Sequence, residues 1–523
     1  MSEPTTVSGD KVNEMFFHVE QKTDKQHILD NPDTYIGGID TTQSPMWVMA
    51  NESTTNIADI EYIPALFKLF DEGIVNCRDH VMRMKTKVEN HVPDSLPVSY
   101  IDISIDAGNG TISMMNDGNG IDVVKHPEYG VWVPELIFGH LRTSTNYNKD
   151  EKKIVGGKNG FGFKLVLIWS TYGRIETVDH IRGLKYVQEF KNNLNEICKP
   201  AITKSKTKPY TKITFVPDYA RFGLHKGLSS DMLSLFERRI YDISAVTDKN
   251  IKVKYNSKVV PVKNFQQYID LYIGNKSDNP RVYESPNERW ELAVAMSPTH
   301  EFSQVSFVNG ICTSKGGKHV DYIVAQITKK TSELIEKKKK IKVSPTSIKE
   351  QLILFLRCDI ENPSFESQTK DYLNTPASKF GSKCEVSAKF IENIITKLGV
   401  MKTACALTEI KETQNAKKTD GAKKKTIRGI PKLTDANWAG TDKSKHCMVL
   451  FCEGDSAKTG VISGLSSEDR NTIGVYPLKG KVMNVRGEAV KKSTRTRRFP
   501  KLNKFLVWNL EKHTAQWKTF INT

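Results

Sequence analysis

The sequence predicts a layered α/β protein of about three domains. The chain has 523 residues, and a domain commonly holds about 100–200. Its hydrophobic fraction of 38% is enough to build sizeable cores. Strand-like alternation and helical periods follow one another along the chain, with glycine-rich loops between them. We place compact regions at 1–250, 251–410 and 445–490, a lysine-rich linker at 411–444 and a basic tail at 491–523.

Charge and cysteine content narrow the class of protein. The net charge of +17 favours a polyanionic partner, with nucleic acid as the first candidate, although basic runs can also be merely solvated. The eight cysteines include no Cys-x-x-Cys pair, so a zinc ribbon is not expected and a reducing compartment is. We see neither a secretory signal nor an apolar run of membrane-spanning length, and therefore expect an intracellular protein without a membrane partner.

The first diagnostic element is a helix predicted over 64–85. An apolar stripe runs from Leu66 to Val81, and Pro64 suits a first helical turn. The opposite side carries Glu72 and Asn76 one turn apart, followed by Asp79 and His80. Glu72 can accept a proton from water, and Asn76 can offer a neutral oxygen to Mg²⁺. The alternative is an ordinary solvated helix face.

A hairpin follows and ends in a polar, glycine-containing turn. Ile101, Ile103 and Ile105 alternate with polar residues, Gly108–Gly110 supplies a turn, and a return strand begins at Thr111. The strand leads into Asn116, Asp117, Gly118, Asn119 and Gly120, of which Asn116, Asp117, Gly118 and Gly120 are candidate ATP-binding residues. A buried aspartate at 117 can accept a hydrogen bond from the amine of adenine, and the glycines allow close approach to a flat ligand. The alternative is a simple Asx turn.

A glycine loop then opens a predicted helix. Backbone N–H groups at such a junction bind phosphate, but the order of glycines fits neither a Gly-Lys-Ser/Thr phosphate loop nor a dinucleotide fingerprint. The candidate residues are Gly157, Lys158, Asn159, Gly160, Phe161, Gly162, Phe163 and Lys164.

The last compact region begins with a predicted buried strand at Cys447–Cys452. Glu453 follows at its carboxyl end, where open α/β sheets place ligands, and is a candidate Mg²⁺ ligand. The alternative is a helix-capping turn with an incidental glutamate, because one carboxylate alone is a poor Mg²⁺ site.

Taken in order, these motifs resemble the Bergerat-fold (GHKL) ATPases, and the text between them looks like eukaryotic-type DNA topoisomerase II. The segments that carry the resemblance include TYIGG (34–38), PELIFGHLRTSTNY (134–147), IENPSFESQTKDYL (360–373) and FCEGDSAKTGVISGL (451–465). The resemblance implies a GHKL ATPase sandwich, then a ribosomal-protein-like transducer domain and an incomplete Toprim α/β segment.

The same resemblance implies roles for individual residues, with ATP and Mg²⁺ as cofactors. Glu72 is expected to be the general base, Asn76 the Mg²⁺ ligand and Asp117 the adenine contact. Ser144, Thr145 and Asn146 would contact ribose and phosphate, residues 157–164 would form the lid, and Gln368 and Lys370 would sense the γ-phosphate. Expected DNA contacts are Lys337, Lys338, Lys339, Lys340, Lys342, Lys479 and Lys481, with Lys315 and Lys318 as further candidates.

The implied partners are double-stranded DNA and a second copy of the chain, joined through the ATPase domains. The carboxylate pair that completes a Toprim site and the cleaving tyrosine do not appear before Thr523. We therefore interpret the chain as the ATPase half of a strand-passing enzyme, with the remaining Toprim and cleavage polypeptide as a partner. The alternative is an ATP-gated DNA clamp without cleavage activity.

Two departures from the family pattern leave questions open. The first tyrosine is Tyr35, so exchange of an N-terminal arm between protomers is not settled. The tail at 491–523 is consistent with a split gene or frame change, or with a nucleic-acid-binding tail that uses Trp508 and Trp517. Such a tail would suit a large DNA virus, with a nuclear, viral-factory or virion location.

Overall fold

The computed structural model describes residues 20–143, 154, 162–225, 227–297, 299, 301–406, 408 and 432–478. The chain divides into two compact units, residues 1–412 and 413–523, and the division falls within the predicted lysine-rich linker. Among the helices of the described ranges, none is long and apolar enough to cross a bilayer.

The first unit alternates helices and strands. Its helices are α1 (Asp24–Asp30), α2 (Pro32–Tyr35), α3 (Pro64–Glu89), α4 (Val133–Gly139), α5 (Gly162–Ile168), α6 (Ser230–Val246), α7 (Phe265–Ile273), α8 (Lys318–Lys339), α9 (Pro345–Lys349) and α10 (Ala388–Lys397). Its strands are β1 (Thr42–Asn51), β2 (Thr54–Tyr62), β3 (Tyr100–Asp106), β4 (Thr111–Asp117), β5 (Ser170–Asp179), β6 (Leu184–Lys191), β7 (Glu196–Ile197), β8 (Ala201–Lys204), β9 (Tyr210–Pro217), β10 (Lys252–Tyr255), β11 (Lys258–Val259), β12 (Arg281–Asn287), β13 (Trp290–Met296), β14 (Ser303–Val308), β15 (Ile311–Cys312), β16 (Gly316–Gly317), β17 (Leu352–Cys358) and β18 (Tyr372–Leu373).

The larger sheet supports the predicted site. Its strand order, within the described residues, is β11-β10-β3-β4-β9-β5-β6-β7, with β8 also paired to β6. Helices α3, α5 and α6 pack against this sheet and share one apolar cluster with it. A helix layer on a largely antiparallel sheet agrees with the predicted layered α/β class.

The two elements that carry the main motifs form as predicted. Helix α3 starts at Pro64 and continues four residues beyond the predicted end, to Glu89. Its stripe of Leu66, Phe70 and Ile74 is fully buried. Strands β3 and β4 pair as an antiparallel hairpin with Ile105 opposite Ile112, so the return strand ends at Asp117, inside the polar turn.

A second sheet follows, with strand order β12-β13-β17-β14-β15. Helices α8 and α10 pack around a second apolar cluster with its strands. Strand β10 pairs in parallel with β3, and α7 packs on α6, so residues 252–273 extend the first layer. The boundary at 250 stays a prediction, because residues 1–412 form one compact unit.

The second unit, as far as it is described, is a small α/β element. Strands β19 (Met448–Cys452) and β20 (Ile473–Pro477) pair in parallel, and helices Asp455–Gly464 and Asp469–Thr472 lie between them in the chain. The strand was predicted correctly, but its burial was not. Met448 is 51% and Leu450 38% exposed, because β20 covers one edge of β19 and the described helices leave these side chains uncovered.

Candidate active site

Helix α3 carries Glu72 into the protein interior. Glu72 is only 4% exposed. This excludes the alternative that Glu72 lies on an ordinary solvated face of the helix. Its Oε1 lies 2.7 Å from the Nζ of Lys68, one turn earlier in the same helix. The same oxygen accepts a hydrogen bond of 2.9 Å from the Nζ of Lys370, which follows the second sheet. The predicted base and the predicted γ-phosphate sensor, 298 positions apart, are therefore in direct contact.

These two lysines control the protonation of Glu72. Burial alone would raise its pKa, but the ammonium groups of Lys370 and Lys68 outweigh burial and lower the pKa to about 2. The carboxylate is therefore ionised at neutral pH. While both lysines contact it, the Glu72 carboxylate has little affinity for a proton and would be a poor general base.

Asn76 and Gly162 lie beside the carboxylate. A Cβ added to Gly162 would lie 2.9 Å from Oε2 of Glu72 and 3.7 Å from Nδ2 of Asn76, so the start of α5 approaches the pair closely. Asn76 is half-buried and has no hydrogen-bond partner among the described residues. An amide oxygen is a suitable donor for Mg²⁺, and the residue therefore fits the predicted metal role. The described ranges contain no group of three or more His, Cys, Asp and Glu side chains that could hold a metal alone.

The two polar residues at the end of β4 point in opposite directions. Asn116 is buried on the same face of the strand as Met114 and Ile112, the face against which α3 packs. Asp117 lies on the other face, where its carboxylate accepts hydrogen bonds from the backbone N–H groups of Ser99 and Tyr100 at 2.7 and 3.0 Å and from the Ser99 hydroxyl. Asp117 thus anchors the start of β3, and Asn116 is the residue available to the helix side.

The glycines after β4 are required by close protein contacts. A Cβ on Gly118, whose φ is +92°, would lie 2.8 Å from a methyl of Val98 and 3.3 Å from Nε2 of His80. One on Gly120 would lie 2.0 Å from the carbonyl oxygen of Val178. Burial lowers the pKa of His80 to about 4, so its imidazole is neutral at pH 7.

The described lid residues have clear structural contacts. Lys164 is buried and donates a hydrogen bond of 2.5 Å to the carbonyl of Thr143, and burial lowers its pKa to about 8. Phe163 packs edge-on against Phe138 and Phe215 with ring centroids 5.6 and 5.8 Å apart, so its ring belongs to the core. Ser144, Thr145, Asn146, Gly157, Lys158, Asn159, Gly160 and Phe161 lie outside the described residues.

The other predicted site residues are in a loop, at the end of α8 or in the second unit. Gln368 is half-buried two positions before Lys370, in the same loop. Lys337, Lys338, Lys339, Lys340 and Lys342 are exposed where α8 ends. Lys338 makes a surface ion pair of 3.6 Å with Glu392. Glu453 is exposed in the second unit, and Lys479 and Lys481 are outside the described residues.

Sequence reasoning missed a buried polar network around Glu72. Asp71, adjacent to Glu72, accepts a 2.6 Å hydrogen bond from Nε of Arg239. Nη2 of Arg239 donates to the carbonyl of Gly310 at 2.7 Å, in the turn between β14 and β15. The (i, i+4) spacing of Lys68 and Glu72 was a readable signal for an ion pair. No local pattern indicated that Arg239 and Gly310 would meet α3.

A second link joins α3 to the end of β17. Nη2 of Arg78 donates to Oδ1 of Asp359 at 2.8 Å, and both side chains are less than a tenth exposed. Arg78 also donates from Nε to the carbonyl of Val246. The helix that carries Glu72 is therefore fixed to the second sheet at Arg78 and, through Arg239, at Asp71.

Comparisons with known proteins agree with this architecture. A family model described as DNA gyrase B matches residues 254–426. The chain is 43% identical over 488 residues to DNA topoisomerase 2 of Acanthamoeba polyphaga mimivirus, covering 91% of this chain and 37% of the relative. It is 42% identical over 479 residues to DNA topoisomerase 2 of Saccharomyces cerevisiae, covering 88% of this chain and 32% of the relative. It thus spans about a third of the length of these curated relatives.

Solved structures are similar to this chain over about three quarters of its length. The ATPase region of Saccharomyces cerevisiae topoisomerase II aligns with a TM-score of 0.67 and 40% identity, over 74% of this chain and 100% of that one. The ATPase and transducer domains of DNA topoisomerase II from Balamuthia mandrillaris align with a TM-score of 0.71 and 37% identity, over 77% and 100%. Fold and site define a GHKL ATPase joined to a transducer domain. The chain belongs to the type II DNA topoisomerase family.

Proposed function

We propose that this chain binds and hydrolyses ATP as the ATPase portion of a DNA topoisomerase II. The observation that carries the proposal is the contact between Lys370 and Glu72. This contact brings the ammonium group of Lys370, from the loop that follows β17 in the chain, to the carboxylate of Glu72 on α3. Lys370 also has a φ of +64°, a left-handed conformation that is costly for lysine and is typical of functional loops.

In the proposed reaction, the anionic γ-phosphate competes with Glu72 for Lys370. When Lys370 moves to the phosphate, Glu72 loses one of its two ammonium partners, its pKa rises and it can accept a proton from the attacking water. Asn76 would contribute its amide oxygen to Mg²⁺, which neutralises charge on the phosphates when bound. Phosphoryl transfer depends mainly on such positioning and charge neutralisation.

We propose Asn116, and not Asp117, as the residue of this strand that faces the adenine. The three hydrogen bonds that Asp117 accepts from Ser99 and Tyr100 support this assignment. Asn116→Ala should weaken binding of an ATP analogue with little loss of stability. Asp117→Ala should lower stability, because it removes the acceptor of three hydrogen bonds that hold the start of β3. Equal losses of nucleotide affinity in both variants would contradict the assignment.

Hydrolysis would be coupled to DNA through the second sheet. ATP would favour the arrangement in which Lys370 reaches the phosphate, and hydrolysis would release it. Two copies joined through their ATPase domains would form a gate for duplex DNA. The exposed lysines at 337–340 and Lys342 would contact DNA phosphates without reading sequence, with Lys479 and Lys481 as further candidates. Their alternative role is to stabilise the carboxyl end of α8.

The complete enzyme would pass one duplex through a transient break in another. Glu453 would supply one Mg²⁺ ligand of its Toprim site, with other carboxylates and the cleaving tyrosine on the remaining polypeptide. Such an enzyme works inside the cell, in a nucleus or a viral factory. The relatives reported above are named DNA topoisomerase 2, so a clamp without cleavage activity is not favoured.

Replacing the base tests the proposal. Glu72→Gln should lower ATP turnover by about 10²-fold or more, with binding of a non-hydrolysable analogue retained. Glu89→Gln is the matched control, because Glu89 is on the same helix, is exposed and pairs with a lysine four residues away. It should hydrolyse ATP at the unchanged rate. Wild-type turnover by Glu72→Gln would refute Glu72 as the base.

A further inference from the structure

Glu72 has two cationic partners, and they differ in how they can move. Lys370 arrives from a loop beyond the second sheet and would leave for the phosphate under the function proposed above. Lys68 is on the same helix as Glu72, one turn earlier, and is itself only 4% exposed. Helical geometry keeps residues four apart on one face. Lys68 therefore stays beside Glu72 whatever the second domain does.

We propose that Lys68 is a positioning residue for ATP hydrolysis, which holds Glu72 ionised and aimed after Lys370 has left. The inference rests on the proposed function. A buried carboxylate with no partner would take up a proton or turn away, because an uncompensated buried charge is costly. With Lys68 alone beside it, Glu72 stays ionised and in place. Its carboxylate is then more basic than when both Lys68 and Lys370 contact it.

The geometry assigns the two carboxylate oxygens different tasks. Lys68 and Lys370 both contact Oε1, at 2.7 and 2.9 Å. Oε2 is the oxygen that faces Gly162 at the start of α5, 2.9 Å from where a Cβ would stand. A lysine held on Oε1 thus leaves Oε2 directed towards the junction of the predicted lid, the side from which water would be activated.

The surrounding charges make Glu72 the main partner of Lys68. The other carboxylate within reach is Asp71, whose Oδ2 is 3.5 Å from Nζ of Lys68. Asp71 already accepts the shorter bond from Arg239 on α6. If the loop with Lys370 and Asp371 moves away, three cations still face three carboxylates: Lys68 faces Glu72, Arg239 faces Asp71, and Arg238 faces Asp242. The site then remains balanced without the loop.

The test compares neutral and charged replacements at position 68 in the full chain. Lys68→Met should lower kcat for ATP by about 10²-fold, the order expected for a misplaced catalytic group. The Kd of a non-hydrolysable ATP analogue should stay within about threefold. Lys68→Arg keeps the cation and should recover most of the lost kcat. Lys85→Met is the matched control, because Lys85 forms the same (i, i+4) pair with Glu89 on the exposed side.

The outcomes separate this inference from the function on which it rests. Turnover within twofold of wild type for Lys68→Met, or a loss of analogue binding with kcat unchanged, would overturn the role of Lys68. If Lys68→Met does not fold, Lys68→Gln, which removes the positive charge but keeps a polar side chain at this buried position, is judged by the same criteria. Wild-type turnover by Glu72→Gln would instead overturn the proposed base. Loss of turnover in Glu72→Gln but not at position 68 would overturn only the inference.

Discussion

The ion pair between Arg78 and Asp359 should be the strongest single link between α3 and the second sheet. Its side chains are 3% and 9% exposed and its N–O distance is 2.8 Å. Removing one partner of a buried pair leaves a charge without compensation and costs about 3–5 kcal/mol. At about 1.4 kcal/mol per factor of ten, Arg78→Met should shift the unfolding equilibrium by roughly 10² to 4 × 10³-fold.

A closely matched surface pair supplies the control. Arg142 and Asp24 are joined through the same atom types at the same 2.8 Å, but their side chains are 69% and 49% exposed. Exposed pairs contribute about 0–1 kcal/mol, so Arg142→Met should have little effect. The two variants differ in burial and not in the length of the ion pair.

Urea unfolding of the full chain measures the difference. Arg78→Met, Asp359→Asn and the double variant form a cycle, and the double variant should be less destabilised than the sum of the singles by about 1–3 kcal/mol. The slope of free energy against urea should stay constant, so that the midpoint reports stability. A cost for Arg78→Met no greater than that for Arg142→Met would refute a buried link between helix and sheet.

Three further predictions concern the turn at Gly310, two buried histidines and the lysines at the end of α8. Gly310→Ala should lower the free energy of unfolding by about 2–3 kcal/mol, because Gly310 has a φ of +79° and the added Cβ would lie 2.2 Å from Cδ of Arg78. Gly399→Ala is the control, because Gly399 has a φ of +72° but open space around it, so strain alone should cost about 1 kcal/mol. Equal urea midpoints for the two variants would contradict this prediction. Burial lowers the pKa of His80 to about 4 and that of His319 to about 3. As the pH drops, the unfolded chain therefore binds protons before the folded chain does, and stability should fall between about pH 6.5 and pH 4. Replacing both histidines should flatten this dependence, and an unchanged dependence in that variant would contradict the prediction. Replacing the lysines at 337–340 with alanine should weaken duplex DNA binding equally for unrelated sequences and reduce its salt dependence, and an unchanged salt slope in a titration would assign these lysines to the helix end alone.

The elements that carry Glu72, Asn76 and Asn116 could be predicted because a helix and a hairpin leave local patterns in the sequence. The apolar stripe of α3 fixed which side of the helix carries Glu72 and Asn76. Strand alternation also held an unused signal: Asn116 shares the parity of Met114 and so belongs on the buried face, whereas Asp117 has the opposite parity. Both residues were expected to contact ATP, and the adenine role of Asp117, which rested on the chemistry of a carboxylate, stays a prediction.

Contacts between distant segments could not be predicted from local patterns. The sequence around Arg239 indicates a helix, but nothing there reveals that its guanidinium joins Asp71 to the turn at Gly310. The return of β10 to the first sheet, where it pairs with β3, is equally non-local. A strand as apolar as β19 looks buried in sequence, and its exposure depends on which elements cover it.

The central claim is that Lys370 alternates between Glu72 and the γ-phosphate. A crystal structure of the full chain with a non-hydrolysable ATP analogue and Mg²⁺ tests it most directly. We predict that Nζ of Lys370 leaves its position 2.9 Å from Glu72 and contacts the γ-phosphate, while Nζ of Lys68 remains on Oε1 of Glu72. A complex in which the analogue is bound and Lys370 is still on Glu72 would contradict the account.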